Sequence, residues 1–259
     1  MPESATPVKG TQPEGAISES DASNKVREMF TQIAPRYDLL NHLLSMQLDR
    51  VWRARVARKL KPILDRGGAV VLDLCCGTGD LALALSRSAN AKIIGADFAH
   101  PMLVRAREKS AARSRPSAGN GPSGLPFFEA DALRLPFADR SFDLVTTAFG
   151  FRNLANYEAG LREIQRVLKP GGTLAILEFT EPPDGMLGNL YRWYFHTVLP
   201  KIGALISGDS TAYTYLPKSV ARFFRPAELA ALMTRTGYQS VEFRAWTLGT
   251  VALHTGKRS

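Results

Sequence analysis

VVLDLCCGTGD, residues 70–80, reads as a short apolar strand running into a glycine turn and then into a helix. Such a mostly apolar strand fits a sheet covered on both faces. Gly77, Gly79 and Ala82 satisfy a G-x-G-x-x-G/A spacing, and Asp97 follows Gly77 by 20 residues. Dinucleotide sites share that spacing, because glycines let the backbone approach a pyrophosphate at a helix N-terminus. Two acids argue for a different ligand. Asp73 stands just ahead of the turn and Asp80 opens the helix. Both carboxylates would repel a diphosphate there, where the helix dipole otherwise favours anions. A phosphate-free cationic nucleoside such as S-adenosylmethionine, with its sulfonium and ammonium, suits them better. The glycines then serve close backbone approach, and Thr78 offers a hydroxyl or an N–H to the methionine part.

Outward from this stretch, short apolar runs alternate with amphipathic ones. The strand candidates are 70–74, KIIGAD (92–97), FFEAD (127–131), FDLVTTAF (142–149), TLAILEF (173–179), SVEFRAW (240–246) and TVALHTG (250–256). Helix candidates at 80–88, 101–113 and 157–168 separate the first five. This alternation predicts an α/β fold with a parallel sheet and helices on both faces. The last two strands have no helix between them and are expected to pair as an antiparallel hairpin. Upstream, Val26, Met29, Phe30 and Ile33 fall at helical spacing after a cap at Ser23 or Asn24, and Pro35 ends that helix. A second helix is expected over 49–60. Residues 110–126 read as a surface loop, and 181–225 as a long insertion before the helix PAELAALMTRTG.

Asp97 ends the second strand, beside Phe98, where a carboxylate can accept both hydroxyls of a ribose. Asp131 ends the third, where an acid can accept an adenine amino group and the small Ala132 lets the ring lie flat. Ligands of open α/β sheets bind at these carboxyl ends.

Bulk properties narrow the class. The 259 residues are 45% hydrophobic, enough for one sizeable core. Residues 1–23 are rich in Pro, Gly, Ser, Thr and Glu and are expected to be a disordered tail, with one domain over 24–259. No apolar run approaches the roughly 18 residues of a membrane span, and no leader is evident, so a cytoplasmic location is expected. The two cysteines, Cys75 and Cys76, are adjacent and lack metal-ligand spacing, so they read as small packed residues and no metal is expected. The net charge is +9; the first 24 residues hold one lysine against four acids, leaving +12 on the body. A body this basic points to nucleic acid or an anionic membrane surface.

Several stretches resemble the UbiE/MenG-type ubiquinone/menaquinone biosynthesis C-methyltransferases. They are FTQIAPRYDLLNHLLSMQLDRVWR (30–53), DLCCGTGD (73–80), FDLVTTAFGFRNLANYEAGLREIQRVLKPGG (142–172), LEFTEP (177–182), YFHTVLPKIGALISGDSTAYTYLPKSVARF (194–223) and VALHTG (251–256). The resemblance spans about nine-tenths of the chain. It implies a Rossmann-like class I methyltransferase: a seven-stranded, mostly parallel sheet with a C-terminal antiparallel hairpin and N-terminal helices. The implied activity is methyl transfer from S-adenosylmethionine to a ring carbon of a polyprenylated quinol, demethylmenaquinol first. The ubiquinone-pathway benzoquinol, or another small molecule, stands as the alternative. The family's cofactor positions carry over as Thr78, Asp97, Asp131 and Ala132. Relatives often have Ser before FGFRN, where this chain has Ala148.

A quinol carbon turns nucleophilic as its hydroxyl loses a proton, so a base and oxyanion donors are sought. Arg152 and Asn153 follow the fourth strand and are candidates for holding the quinol oxygens. His196 is a candidate proton acceptor, and Tyr37 and Asp38 for a lid. Arg152→Ala is expected to keep cofactor affinity and lose most turnover. LYRWYFHTVLPKIGALI (190–206) and KSVARFFR (218–225) mix aromatics with cations, as suits an interfacial surface. The expected partners are therefore the quinol and, peripherally, an anionic membrane at its cytoplasmic face. A homodimer is among the expected assemblies. No RNA-binding module is evident, and nucleic acid is not expected.

Overall fold

The structure is a computed structural model that describes residues 10–38, 41, 45, 47–87, 90–113, 124–182, 185, 197 and 211–259, with the backbone alone at 211–214. Seven strands form one sheet: β1 Val70–Leu74, β2 Lys92–Asp97, β3 Phe127–Glu129, β4 Phe142–Ala148, β5 Leu168–Phe179, β6 Tyr238–Trp246 and β7 Val251–Arg258. Their order is β3-β2-β1-β4-β5-β7-β6. The first five are parallel; β7 runs antiparallel between β5 and β6. The expected terminal hairpin is thus present, with β7 next to β5 and β6 at the edge of the sheet. Helices are α1 Glu19–Ile33, α2 Leu48–Leu64, α3 Asp80–Ser86, α4 His100–Arg113, α5 Tyr157–Val167, α6 Thr211–Arg222 and α7 Pro226–Arg235.

Each face of the sheet carries its own core. On one face Phe142, Phe151, Leu161, Ile164 and Tyr238 pack under α5 and α7. On the other, Trp52, Leu60, Leu85, Leu103 and Phe127 pack under α2, α3 and α4. The chain order reverses between β1 and β4, so the switch point that opens a crevice in such sheets lies at their carboxyl ends.

The N-terminal boundary differs from expectation. Helix α1 starts at Glu19, and the Ser18 side chain accepts the Asp21 N–H in place of a cap at Ser23 or Asn24. Upstream of it, residues 10–18 of the stretch expected to be a disordered tail make packed contacts. Thr11 is only 4% exposed, and its N–H donates to the Leu154 carbonyl at 2.8 Å. Gly10 passes so close that a Cβ there would lie 2.2 Å from the Leu154 oxygen.

Candidate active site

The carboxyl ends of β1, β2, β3 and β4 open on one cleft of about 620 Å³, open solvent included. Among the predicted residues, Gly77, Asp97, Phe98, Asp131, Ala132 and Asn153 line it together. Asp97 anchors the turn: its Oδ2 accepts the Gly77 N–H at 2.8 Å and its Oδ1 the Ala99 N–H at 2.9 Å. A carboxylate has roughly four acceptor positions, so room is left for hydroxyls of a ligand. Burial raises the Asp97 pKa above its ordinary value, and the backbone N–H donors oppose that shift. Gly77 has a φ of +54°, which a side chain would strain, and a Cβ there would stand 3.6 Å from the Tyr37 ring. Asp131 is steadied by the Leu133 N–H at 2.9 Å, and Ala132 beside it is buried. The cleft is therefore a small-molecule pocket with acceptors at fixed points in an apolar wall.

Asp73, Thr78 and Gly79 do not line it. Asp73 is 1% exposed and holds the fold together: Oδ2 accepts the Ala82 N–H of α3 at 2.9 Å and Oδ1 the Thr146 hydroxyl of β4 at 2.8 Å. Burial pushes its pKa up to about 7. Thr78 donates to Asp38 and accepts from the Lys109 ammonium. Asp80 is paired with Lys109 at 2.5 Å and Arg53 at 3.5 Å. The expectation that two unscreened carboxylates repel a diphosphate is corrected here. One is about half protonated near neutrality and the other is paired with cations that sequence spacing did not reveal.

The raised Asp73 pKa has a measurable consequence. An acid whose pKa rises on folding stabilises the protein most below its unfolded value, near 4. That contribution fades as pH climbs to about 7. Asp73→Asn keeps both hydrogen bonds, since the Thr146 hydroxyl can turn and accept. The variant should lose this slope. Between pH 5 and 8 the wild type should lose on the order of 2 kcal/mol relative to Asp73→Asn. Parallel denaturation curves at the two pH values would contradict the assignment.

Comparison with known proteins decides which chemistry the cleft serves. The model of the ubiE/COQ5 methyltransferase family matches residues 18–258. The chain belongs to the ubiE/COQ5 methyltransferase family. It is 51% identical over 231 residues to the demethylmenaquinone methyltransferase of Thermus thermophilus, covering 89% of this chain and all of the relative. It is 47% identical to that of Deinococcus radiodurans, covering 92% of this chain and 94% of the relative. A SAM-dependent methyltransferase from Thermotoga maritima shares the fold with a TM-score of 0.62 at 20% identity, over 90% of this chain and 99% of its own. The [4+2]-cyclase SpnF does so with a TM-score of 0.65 at 19% identity, over 91% and 96%. Such neighbours show the fold alone; the family carries the chemistry. This methyltransferase therefore uses S-adenosylmethionine. Gly77 as a bare cradle, buried Asp97 as acceptor and the Asp131–Ala132 pair fit that nucleoside.

In the methyltransferase, FGFRN forms a tight turn at the end of β4. Phe149 takes a left-handed φ of +61° and lines the cleft. A Cβ on Gly150 would lie 2.3 Å from the Cβ of Cys75, so only glycine fits. Arg152 is turned away from the cleft. Its guanidinium pairs with the wholly buried Glu178 of β5 at 2.7 Å and donates to the Phe149 carbonyl at 2.5 Å. It also lies over the Phe179 ring at 5.5 Å. Arg152 is thus a positioning residue in this geometry, where direct contact with the quinol was expected. Asn153 does face the cleft, and its Oδ1 accepts the Tyr215 hydroxyl of α6 at 3.0 Å.

The N-terminal elements supply two cleft residues, Ser23 and Phe30, that sequence reasoning did not place there. Ser23 and Phe30 of α1 line the cleft with Tyr37, the last as expected of a lid. Phe30 and Tyr37 meet edge to face at 6.0 Å, and Arg27 lies over Phe98 at 5.4 Å. Asp38, tied to Thr78 and Lys109, fastens this cover to the glycine turn. Cys75 also lines the cleft with a φ of +53°, and burial holds its thiol protonated well above the usual range. His196 and most of 181–210 lie outside the described residues. No cluster of potential metal ligands occurs among the described residues.

Proposed function

We propose that the protein methylates a ring carbon of a polyprenylated quinol, converting demethylmenaquinol to menaquinol. The observation that carries this reading is the 51% identity, over 89% of this chain and the whole of the relative, to a protein named demethylmenaquinone methyltransferase. S-adenosylmethionine supplies an activated methyl on its sulfonium. Asp97, with Phe98, would hold the ribose; Asp131 and Ala132 the adenine; the Gly77 turn the methionine part. Asn153, fixed by Tyr215, is the neutral polar group placed to hold a quinol oxygen. Phe149, Leu154 and Ala155 give the cleft an apolar wall against a flat aromatic ring. Arg152 holds that wall in place. His196 remains the proposed proton acceptor.

A benzoquinol of the ubiquinone pathway is the second reading. It is favoured by a relative from Geobacter sulfurreducens, 41% identical, whose name covers both pathways. The purified enzyme, S-adenosylmethionine and each reduced quinone in turn test the choice. Methylated naphthoquinol as the faster product supports the first reading, and benzoquinol turned over faster removes it. A lipid-tailed substrate also calls for a peripheral meeting with the membrane; no helix of the described residues is long and apolar enough to span one.

A further inference from the structure

We propose that the outer face of α2 and the β6–β7 turn form a docking surface for an anionic lipid bilayer, an inference that rests on the quinol reading. Helix α2 carries six cations, Arg50, Arg53, Arg55, Arg58, Lys59 and Lys61, against one acid, Asp49. Only Arg53 is buried, where it pairs with Asp49 and Asp80. Along one side of the helix, Arg55, Arg58 and Lys59 share a groove with Arg244, facing Phe243 and Trp246, with Glu242 as its acid. Along the other side, Arg50, Arg58 and Lys61 share a groove with Arg87 and Arg113. Asp80, the acid of that second groove, is already paired with Lys109. Arg58 belongs to both grooves, so the basic surface is continuous.

Apolar side chains stand out of the same surface. Leu248 at the tip of the β6–β7 turn is 69% exposed and Val51 of α2 is 45% exposed. The turn is braced on α2. The Trp52 indole N–H donates to the Thr247 hydroxyl at 2.8 Å, and the Arg55 guanidinium lies over the Trp246 ring at 5.9 Å. Val251, just after the turn, pairs with Phe179 at the carboxyl end of β5. The turn therefore stands at the sheet edge on which the cleft opens. Cations for headgroups beside aliphatic tips for the acyl boundary are the pattern of interfacial binding. Nucleic acid would use the cations but would gain nothing from Leu248 and Val51. A quinol with a polyprenyl tail resides in a bilayer, and this surface would bring the cleft to it.

The test is co-sedimentation of the full-length enzyme with phosphatidylcholine vesicles with and without phosphatidylglycerol. Each cation near an anionic surface adds about fivefold to binding. The triple variant Arg55→Gln/Arg58→Gln/Lys59→Gln should therefore bind anionic vesicles about a hundredfold more weakly. A control that removes the same charge at Arg162, Arg235 and Lys257 should lose far less. Turnover of a short-chain, water-soluble quinol should stay at the wild-type level in the triple variant, while turnover of quinol embedded in anionic vesicles falls. Equal losses in the two triple variants would overturn the proposal, as would no preference for anionic vesicles or tighter binding to RNA than to vesicles. Failure on the soluble quinol by the wild type would instead remove the quinol reading, because vesicle binding is measured without turnover.

Discussion

Replacing Asp97 with alanine is expected to weaken S-adenosylmethionine binding by about a hundredfold to a thousandfold. A hydrogen bond to a charged group contributes about 1.5–3 kcal/mol. A ribose offers two hydroxyls to this carboxylate, so a loss of about 3–4 kcal/mol follows. The same carboxylate holds the Gly77 and Ala99 N–H groups, so part of the loss comes from a loosened turn. Asp97→Asn should lose less, since its amide oxygen still accepts one of those bonds. Calorimetric titration of the folded variants measures this directly. Affinity within threefold of wild type in Asp97→Ala would show that the ribose is held elsewhere.

Arg152→Ala should destabilise the enzyme by about 3–5 kcal/mol, the usual cost of leaving one partner of a buried ion pair alone. Glu178 has no exposure at all, and its remaining partners are the backbone N–H groups of Arg152 and Phe179. That loss is a large share of a typical stability of about 5–15 kcal/mol. The Phe149 carbonyl loses its guanidinium donor in the same step, so the left-handed turn loosens and turnover falls. Cofactor affinity should survive wherever the variant is folded, because Gly77, Asp97 and Asp131 do not touch Arg152. The double variant Arg152→Met/Glu178→Gln removes both charges and should recover at least half of the lost stability. Denaturant curves of the single and double variants decide it. A loss below about 1 kcal/mol in the single variant would contradict a buried, structural pair.

The strands were legible because they are short apolar runs between helices, and β2 was found at its full length. The cleft acids Asp97 and Asp131 were legible from their place at the carboxyl edge where such sheets bind ligands, although β3 stops at Glu129, two residues before Asp131. Partners distant in sequence were not. Glu178 lies 26 residues from Arg152, Thr146 lies 73 from Asp73, and Lys109 lies 31 from Thr78. Local spacing carries no trace of these pairings, so the charges on Asp73 and Asp80 were read as unopposed. Phe30 reads from sequence only as one of the apolar residues at helical spacing; the placement of α1 over the cleft shows its role there. The start of α1 was missed because Glu19 and Asp21 look like tail composition, although acids in a first turn favour a helix.

In the proposed function, one cleft sets S-adenosylmethionine against the ring of a quinol. The most direct test supplies the donor with a deuterated methyl, adds reduced demethylmenaquinone, and locates the label in the product by mass spectrometry and NMR. Label on a ring carbon of the naphthoquinol is the result predicted. Label on a quinol oxygen, or no labelled quinol from enzyme shown to bind the donor, would contradict it.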